Sequence, residues 1–326
     1  MKVIVCETPY KLSVINTEIP EMQNDDVLVK IKYCGICSYD LKRFLGLKDI
    51  TYPLILGHEP SGQVEKIGKD VREIKKGDRV VVDVKVKCGE CPSCLRGMES
   101  RCPQTEASLG FSQYLLVPQE NVFKLSSDID LKVATLTEPL ACILHGYSKI
   151  KLRSKSSLLI AGDGIMGMLS SLVGKVIEKS AVILLGHNKN RLKVAQSIDV
   201  ECVLSTKNSL PLSNPFDTII FTVEEKRIIN NLKKYLSPGG NLLFIGELKN
   251  GSYRLNLNSI YSNEYAFIGS KGYTREDFTN ALSVIEKCHG VLERFISKIY
   301  QIDELERGFR DLQKRKILKG ILCLDN

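Results

Sequence analysis

The chain contains no tryptophan and only four histidines, and aromatic residues make up 7% of its 326 positions. Any chemistry that needs an imidazole must therefore draw on His58, His145, His187 or His289. There is no block of basic residues with interleaved aromatics, and 46 Lys and Arg against 38 Asp and Glu leave a net charge of only +8. That thin, evenly spread excess does not resemble the footprint of a nucleic-acid-binding surface. No apolar run is long enough for a bilayer span, since the richest, residues 158–173, is broken by Asp163 and by glycines. The opening MKVIVCETPY has no charged segment, apolar core and cleavage site in succession. The expectation is a cytoplasmic protein with no membrane or nucleic-acid partner, whose eleven cysteines are reduced or bound to metal. Internal repeats, low-complexity tracts and long linkers are also absent from the sequence.

Four of the cysteines are concentrated: Cys88, Cys91, Cys94 and Cys102 occur in KCGECPSCLRGMESRC. The spacing C-x2-C-x2-C-x7-C brings four thiolates within reach of one tetrahedral ion, with arms of about 2.3 Å, as in a closed structural zinc site. An iron–sulfur centre, a disulfide knot and a nucleic-acid-binding ribbon are the competing readings of the same residues. A closed site does not catalyse, and further metal-ligating side chains occur elsewhere, at Cys37, His58, Glu59 and Glu138.

The length allows two domains, and the pattern changes near residue 150. Before it, short β-rich runs such as DVLVKIKY, GQVEKI, DRVVVDVKV and FSQYLLVP alternate with Gly, Pro and Asp turns. After it, the apolar runs LLIAG (158–162), AVILLG (181–186), FDTIIFT (216–222) and NLLFIG (241–246) alternate with helical stretches. This rhythm predicts an α/β unit, a parallel sheet wrapped by helices, with SPGG (237–240) as the turn that feeds the last of these strands.

AGDGIMG places Gly162, Gly164 and Gly167 at G-x-G-x-x-G spacing, directly after a strand and ahead of a predicted helix over 165–177. In that setting Gly162 makes the turn, Gly164 admits a pyrophosphate, and Gly167 lets helix and strand pack closely. The helix N-terminus at Ile165 and Met166 then meets the phosphates. The second strand ends at Gly186, followed by His187, Asn188, Lys189, Asn190 and Arg191, with no carboxylate for a ribose 2′-hydroxyl. Lys189 and Arg191 can instead pair with a 2′-phosphate, and His187 can touch it, so NADP is favoured over NAD.

With CGICSYD (34–40), GHEPSG (57–62), the four-cysteine lobe, TEPLACILHG (137–146), AGDGIMG (161–167) and YTREDF (273–278) in this order, the whole chain resembles the zinc-dependent medium-chain dehydrogenases/reductases. Glu138 in E-P-L resembles the sorbitol and threonine dehydrogenase branch rather than the alcohol dehydrogenases proper, which carry cysteine there. The resemblance implies a GroES-like mostly β catalytic domain over residues 1–148, with 292–326 returning to it, and a doubly wound Rossmann domain inserted over 149–291. It implies two zinc ions per chain. Cys37, His58 and Glu138 would hold the catalytic one, and Glu59 would approach it or exchange with bound water.

Polyol relatives place Ser or Thr two residues after the zinc cysteine to pass on the substrate proton, whereas this chain has Tyr39. A phenol can donate and accept but is bulkier, so Tyr39 either relays the proton or lines the pocket while Ser38 or water takes over. Asp40 is expected to support a loop, and His145 either faces the cofactor or is a satisfied buried histidine. The short stretch between Cys102 and the GFSQYLLVP strand implies a wide pocket mouth.

The function so implied is hydride transfer between NADP(H) or NAD(H) and a secondary alcohol on a polyol, sugar, sugar phosphate, cyclitol or amino alcohol. The alternatives are an NAD-dependent threonine or simple secondary-alcohol dehydrogenase, and a catalytically inactive zinc- and NADPH-binding sensor. Relatives pair a strand from the region of residues 253–269 across a two-fold axis, so a homodimer or homotetramer is expected.

Overall fold

Alternating apolar residues in Asp26–Ile36 bury Val27, Val29, Ile31 and Cys34 and make this strand the spine of the first unit. The computed structural model describes residues 1–104, 106–107, 110–152, 155–205, 212, 215–223, 226–246 and 255–325. Two compact units emerge, one of residues 1–138 with 278–326, the other of residues 139–277. The divisions fall inside the helices Thr137–Tyr147 and Arg275–Leu292, ahead of the expected boundaries at 148 and 291.

In the first unit, strands run in the order Val122–Lys124, Arg79–Val82, Pro60–Ile67, Asp26–Ile36, Lys319–Cys323 and Ile296–Tyr300, with Tyr114–Pro118 also paired to Asp26–Ile36. The C-terminal strand Lys319–Cys323 lies antiparallel to Asp26–Ile36, opposing Gly320 to Ile36 and Leu322 to Cys34. The end of the chain is thereby brought beside Cys37. The core between the sheet and helix Leu305–Gln313 joins Ile31, Ile36, Val80, Tyr300 and Phe309.

The second unit is a six-stranded parallel sheet in the order Glu201–Leu204, Ala181–Gly186, Ser157–Ala161, Phe216–Phe221, Leu236–Ile245, Ala266–Ser270. In chain order this is 3-2-1-4-5-6, the doubly wound Rossmann arrangement. Its central strands read as continuous apolar runs because a parallel sheet is covered on both faces, and Leu158, Leu159 and Ile160 are wholly buried.

Two local expectations are corrected. Ser237–Gly240 is not a turn ahead of the strand but lies within Leu236–Ile245, where the register slips between Phe216 and Thr218 and Gly239 takes φ +73°. The extra residues are absorbed as a bulge instead of closing a loop. The helix predicted over 165–177 is α-helical only over Ile165–Leu172 and continues as a π turn over Val173–Ile177.

Among the described residues no helix is long and apolar enough to cross a membrane. Residues 105, 108 and 109, in the short stretch after the lobe, and 253 and 254, at the start of the expected pairing segment, lie outside the described residues.

Candidate active site

The four lobe cysteines converge. Cys91 Sγ lies 3.5 Å from Cys94 Sγ, Cys102 Sγ 3.5 Å from Cys88 Sγ, and Cys88 Sγ 3.9 Å from Cys94 Sγ. A tetrahedron with arms of about 2.3 Å has edges of about 3.8 Å, so the cage fits one zinc ion. A disulfide requires about 2.05 Å, which removes the knot. A cluster of several irons would interpose its own sulfides and spread the thiolates apart. The local sequence builds the cage: Cys91 caps the short helix Pro92–Leu95, with Pro92 at its first position, and its sulfur accepts the Cys94 N–H. That N–H lowers the pKa of Cys91, preparing a thiolate.

The second cluster forms where two chain segments meet. Cys37 follows the spine strand and caps helix Ser38–Phe44, while His58 and Glu59 precede strand Pro60–Ile67, which pairs with that same spine. Each offers a ligand atom, and these atoms lie within 4.8 Å of one another. Sulfur, imidazole and carboxylate form a donor set suited to zinc. Glu138, at the start of helix Thr137–Tyr147, is buried but outside that group; Lys85 Nζ lies 3.6 Å from its carboxylate.

Asp40 has a larger part than loop support. Fully buried, it accepts the Gly57 N–H at 3.0 Å, and His58 Nδ1 lies 3.3 Å and 3.2 Å from its two oxygens. A carboxylate on Nδ1 fixes the ring and leaves Nε2 for a metal. Burial opposes a charged His58, but Asp40 and Cys37 outweigh it and raise its pKa well above the usual histidine value. Burial likewise opposes charge on Asp40, yet His58 and the Gly57 N–H hold its carboxyl below the ordinary range.

Glu59 is clamped by Lys319, a 1% exposed lysine whose ammonium contacts Glu59 Oε2, while Oε1 is buried without a hydrogen-bond partner. Burial raises the Glu59 pKa and repulsion from Glu138 adds to it, against the pull of Lys319 and His58. The contact requires Gly35, because a Cβ there would overlap the Glu59 carboxylate. Lys319 escaped the reading of the sequence; its signal is a lone cation between apolar residues in ILKGILCL. Tyr39 is 46% exposed and meets the His58 ring edge to face, with centroids 6.1 Å apart.

In the second unit the three glycines each have a physical reason. Gly162 takes φ +126°, and a Cβ there would lie 2.5 Å from Thr222 Oγ1. Gly164 caps helix Ile165–Leu172, and a Cβ on it would meet nothing within 4 Å, the open approach a pyrophosphate needs. A Cβ on Gly167 would collide with the Gly162 carbonyl, so helix and strand touch there. Asp163, also missed in the sequence, is 3% exposed and accepts the His187 and Asn188 N–H groups, each at 2.7 Å, tying the loop to the end of strand Ala181–Gly186. Arg191 Nη1 lies 3.7 Å from the same carboxylate, while Lys189 and His187 are exposed.

Residues 23–127 match the family model described as the alcohol dehydrogenase GroES-like domain. The chain is 29% identical to D-arabinitol dehydrogenase 1 of Uromyces fabae, covering 98% of this chain and 96% of that one. It is 28% identical to D-arabitol-phosphate dehydrogenase of Enterococcus avium, over 96% and 94%. A putative zinc-binding dehydrogenase from Sinorhizobium meliloti, solved with NADP, superposes with a TM-score of 0.90 at 25% identity, covering 99% and 98%. Together these matches support a zinc-type medium-chain alcohol dehydrogenase of the polyol branch.

As an NAD(P)-dependent alcohol dehydrogenase, the protein spends its remaining conspicuous groups on structure. His145 Nδ1 lies 2.7 Å from Asp277 Oδ2, which also accepts Thr274 N–H at 2.8 Å and the Thr274 hydroxyl at 2.7 Å. YTREDF is thus the cap of the dehydrogenase's helix Arg275–Leu292, and His145 is a satisfied histidine bound to that cap. The exposed His289 ring faces the Glu286 carbonyl within its own helix, 3.1 Å away.

Proposed function

We propose that this dehydrogenase transfers a hydride between NADP(H) and a secondary alcohol or ketone on a polyol-like substrate, using a zinc held by Cys37, His58 and a carboxylate from Glu59 or Glu138. The observation that carries this is the convergence of Cys37, His58 and Glu59, with Asp40 behind the imidazole. When bound, zinc supplies Lewis acidity that eases loss of the hydroxyl proton, and the nicotinamide accepts the hydride. Cys37 and His58 anchor, and Asp40 keeps His58 aimed. Lys319 holds Glu59 back through Oε2, leaving Oε1 to accept from a water or a substrate hydroxyl. Glu138 would be the alternative carboxylate, reaching the ion directly or through water. Tyr39, exposed beside His58, either passes the proton to solvent or lines the pocket.

A second zinc in the Cys88, Cys91, Cys94 and Cys102 cage orders the lobe. NADP use rests on the end of strand Ala181–Gly186: residues 186–191 carry no carboxylate, and the exposed Lys189 and His187 stand there with Arg191 alongside. The substrates of the arabinitol and arabitol-phosphate relatives favour a sugar alcohol or its phosphate. The edge strand Ala266–Ser270, with Leu257 72% and Tyr261 86% exposed on the preceding helix, supports a homodimer or homotetramer. Eleven unbridged cysteines fit the cytoplasm.

The test is a panel of polyols, inositols, amino alcohols and sugar phosphates with NADP and with NAD, followed by nicotinamide absorbance before and after chelation. Oxidation of a polyol-type substrate with NADP, abolished by chelation and restored by zinc, is expected. Turnover that survives complete zinc removal would overturn the reading.

A further inference from the structure

Each of the two acids that can serve as the carboxylate ligand faces a lysine. Lys319 contacts Glu59, and Lys85 Nζ lies 3.6 Å from Glu138 Oε1. The two pairs differ in freedom. In the Glu59 pair neither side chain is more than 1% exposed, whereas the Lys85 side chain is 36% exposed, so water can replace its hold on Glu138. Glu138 is the buried member of its pair, and its charge is felt at the Cys37 centre: burial raises the Glu59 pKa, and repulsion from Glu138 adds to the rise. Yet Glu138 does not join the group in which Cys37, His58 and Glu59 offer ligand atoms within 4.8 Å of one another.

The stem of Lys85 starts from a fixed point. Its N–H donates to Asp83 Oδ1 at 3.0 Å, and Asn121 Nδ2 donates to its carbonyl at 3.1 Å and to the Asp83 carbonyl at 2.6 Å. Asp83 and Asn121 are both buried, which holds the backbone of Lys85 in place. Lys87, two residues on, places its ammonium against Asp83 Oδ2. The second lysine thus braces the fold while the first faces Glu138.

We propose that Lys85 is a positioning residue: its ammonium holds Glu138 back from an ion bound by Cys37, His58 and Glu59, and so keeps open the position that a substrate hydroxyl takes. This rests on the hydride-transfer function proposed above and adds the residue that decides between its two carboxylates. A catalytic zinc needs three protein ligands and a free position, whereas four protein ligands make the closed shell of a structural ion. Cys37, His58, Glu59 and Glu138 together would close it. Lys85 gives Glu138 a competing partner, and because a partly exposed ion pair is weak, the restraint can be released. Held by Lys85, Glu138 is left to act from outside the ligand group, as an acceptor for a water.

The test follows imidazole, a neutral ligand for an open metal position, into enzyme carrying cobalt in place of zinc at the Cys37 centre, through the shift of the cobalt absorption bands. The wild type should bind it. In Lys85→Met, Glu138 should turn to the ion, weakening imidazole binding by about fivefold and tightening the hold on the metal against a chelator by a similar factor. Lys85→Arg keeps the charge and should bind imidazole as the wild type does. Lys85→Met combined with Glu138→Gln should recover imidazole binding, because the competing carboxylate is gone. A merely structural role would lower the urea midpoint of Lys85→Met and leave its imidazole affinity unchanged, which would overturn the inference. So would failure of the wild type to bind imidazole, or binding that stays weak in the double variant. If polyols turn over and Lys85→Met binds imidazole like the wild type, the positioning role falls and the hydride-transfer function stands. If the cobalt centre responds as expected but no alcohol is oxidised, the positioning role stands and the proposed reaction falls.

Discussion

Asp40 faces His58 Nδ1 with both carboxylate oxygens, 3.3 Å and 3.2 Å away, in a position where no solvent reaches it. Replacing the carboxylate by an amide keeps the shape and removes the charge that makes the ring a better ligand. Asp40→Asn should weaken zinc at the Cys37 centre by about ten- to a hundredfold and leave the four-cysteine ion in place. Competition with a chromogenic chelator checks this, since the two ions should leave in separate phases.

Lys319 and Glu59 are a buried ion pair, so removing one partner strands the other. Lys319→Met should cost about 3–5 kcal/mol, read as a lower urea midpoint. Adding Glu59→Gln to that variant should restore part of the loss, because the stranded charge disappears. An additive double variant would contradict the pairing.

Two glycines of the nucleotide loop should respond differently to one methyl group. At Gly167 a Cβ collides with the Gly162 carbonyl, so Gly167→Ala should lose about 1–3 kcal/mol of stability along with cofactor binding. At Gly164 the same Cβ meets open space, so Gly164→Ala should keep its melting temperature and bind cofactor more weakly. Calorimetry with and without NADP separates the two effects.

Asp277 links the cap of helix Arg275–Leu292 to His145. Burial opposes its charge, but His145 and Thr274 outweigh this and depress its pKa below the usual carboxyl value. The folded protein therefore holds this proton less tightly than the unfolded chain does. The stabilisation is present above the unfolded carboxyl pKa of about 4 and is lost as pH falls through the lower folded value. Asp277→Asn should be less stable than the wild type at neutral pH, and the gap should narrow on acidification, as urea midpoints across that range would show.

What was legible in the sequence was whatever local spacing dictates. The C-x2-C-x2-C turn and the G-x-G-x-x-G loop each need particular residues within a few positions; in the structure the four sulfurs converge and Gly162 takes φ +126°. The apolar runs at 158–162 and 181–186 became the strands Ser157–Ala161 and Ala181–Gly186 for the same reason. What escaped depends on chain return. Lys319 meets Glu59 across 260 residues, only because the last strand pairs with the spine strand. Asp163 reads as a spacer inside the glycine loop until strand Ala181–Gly186 is laid beside it and delivers the two N–H groups it accepts. Tyr39 reads in the sequence as a bulky exchange for a hydroxyl; that its ring meets the His58 ring edge to face emerges only when the two segments are brought together.

The most direct measurement is anomalous diffraction at the zinc absorption edge from crystals of the enzyme grown without chelator. Two peaks per chain are expected, one enclosed by Cys88, Cys91, Cys94 and Cys102, the other bonded to Cys37 Sγ and His58 Nε2 with a carboxylate alongside. A zinc-replete crystal with density only in the lobe, and Cys37 and His58 ligating nothing, would contradict the assignment.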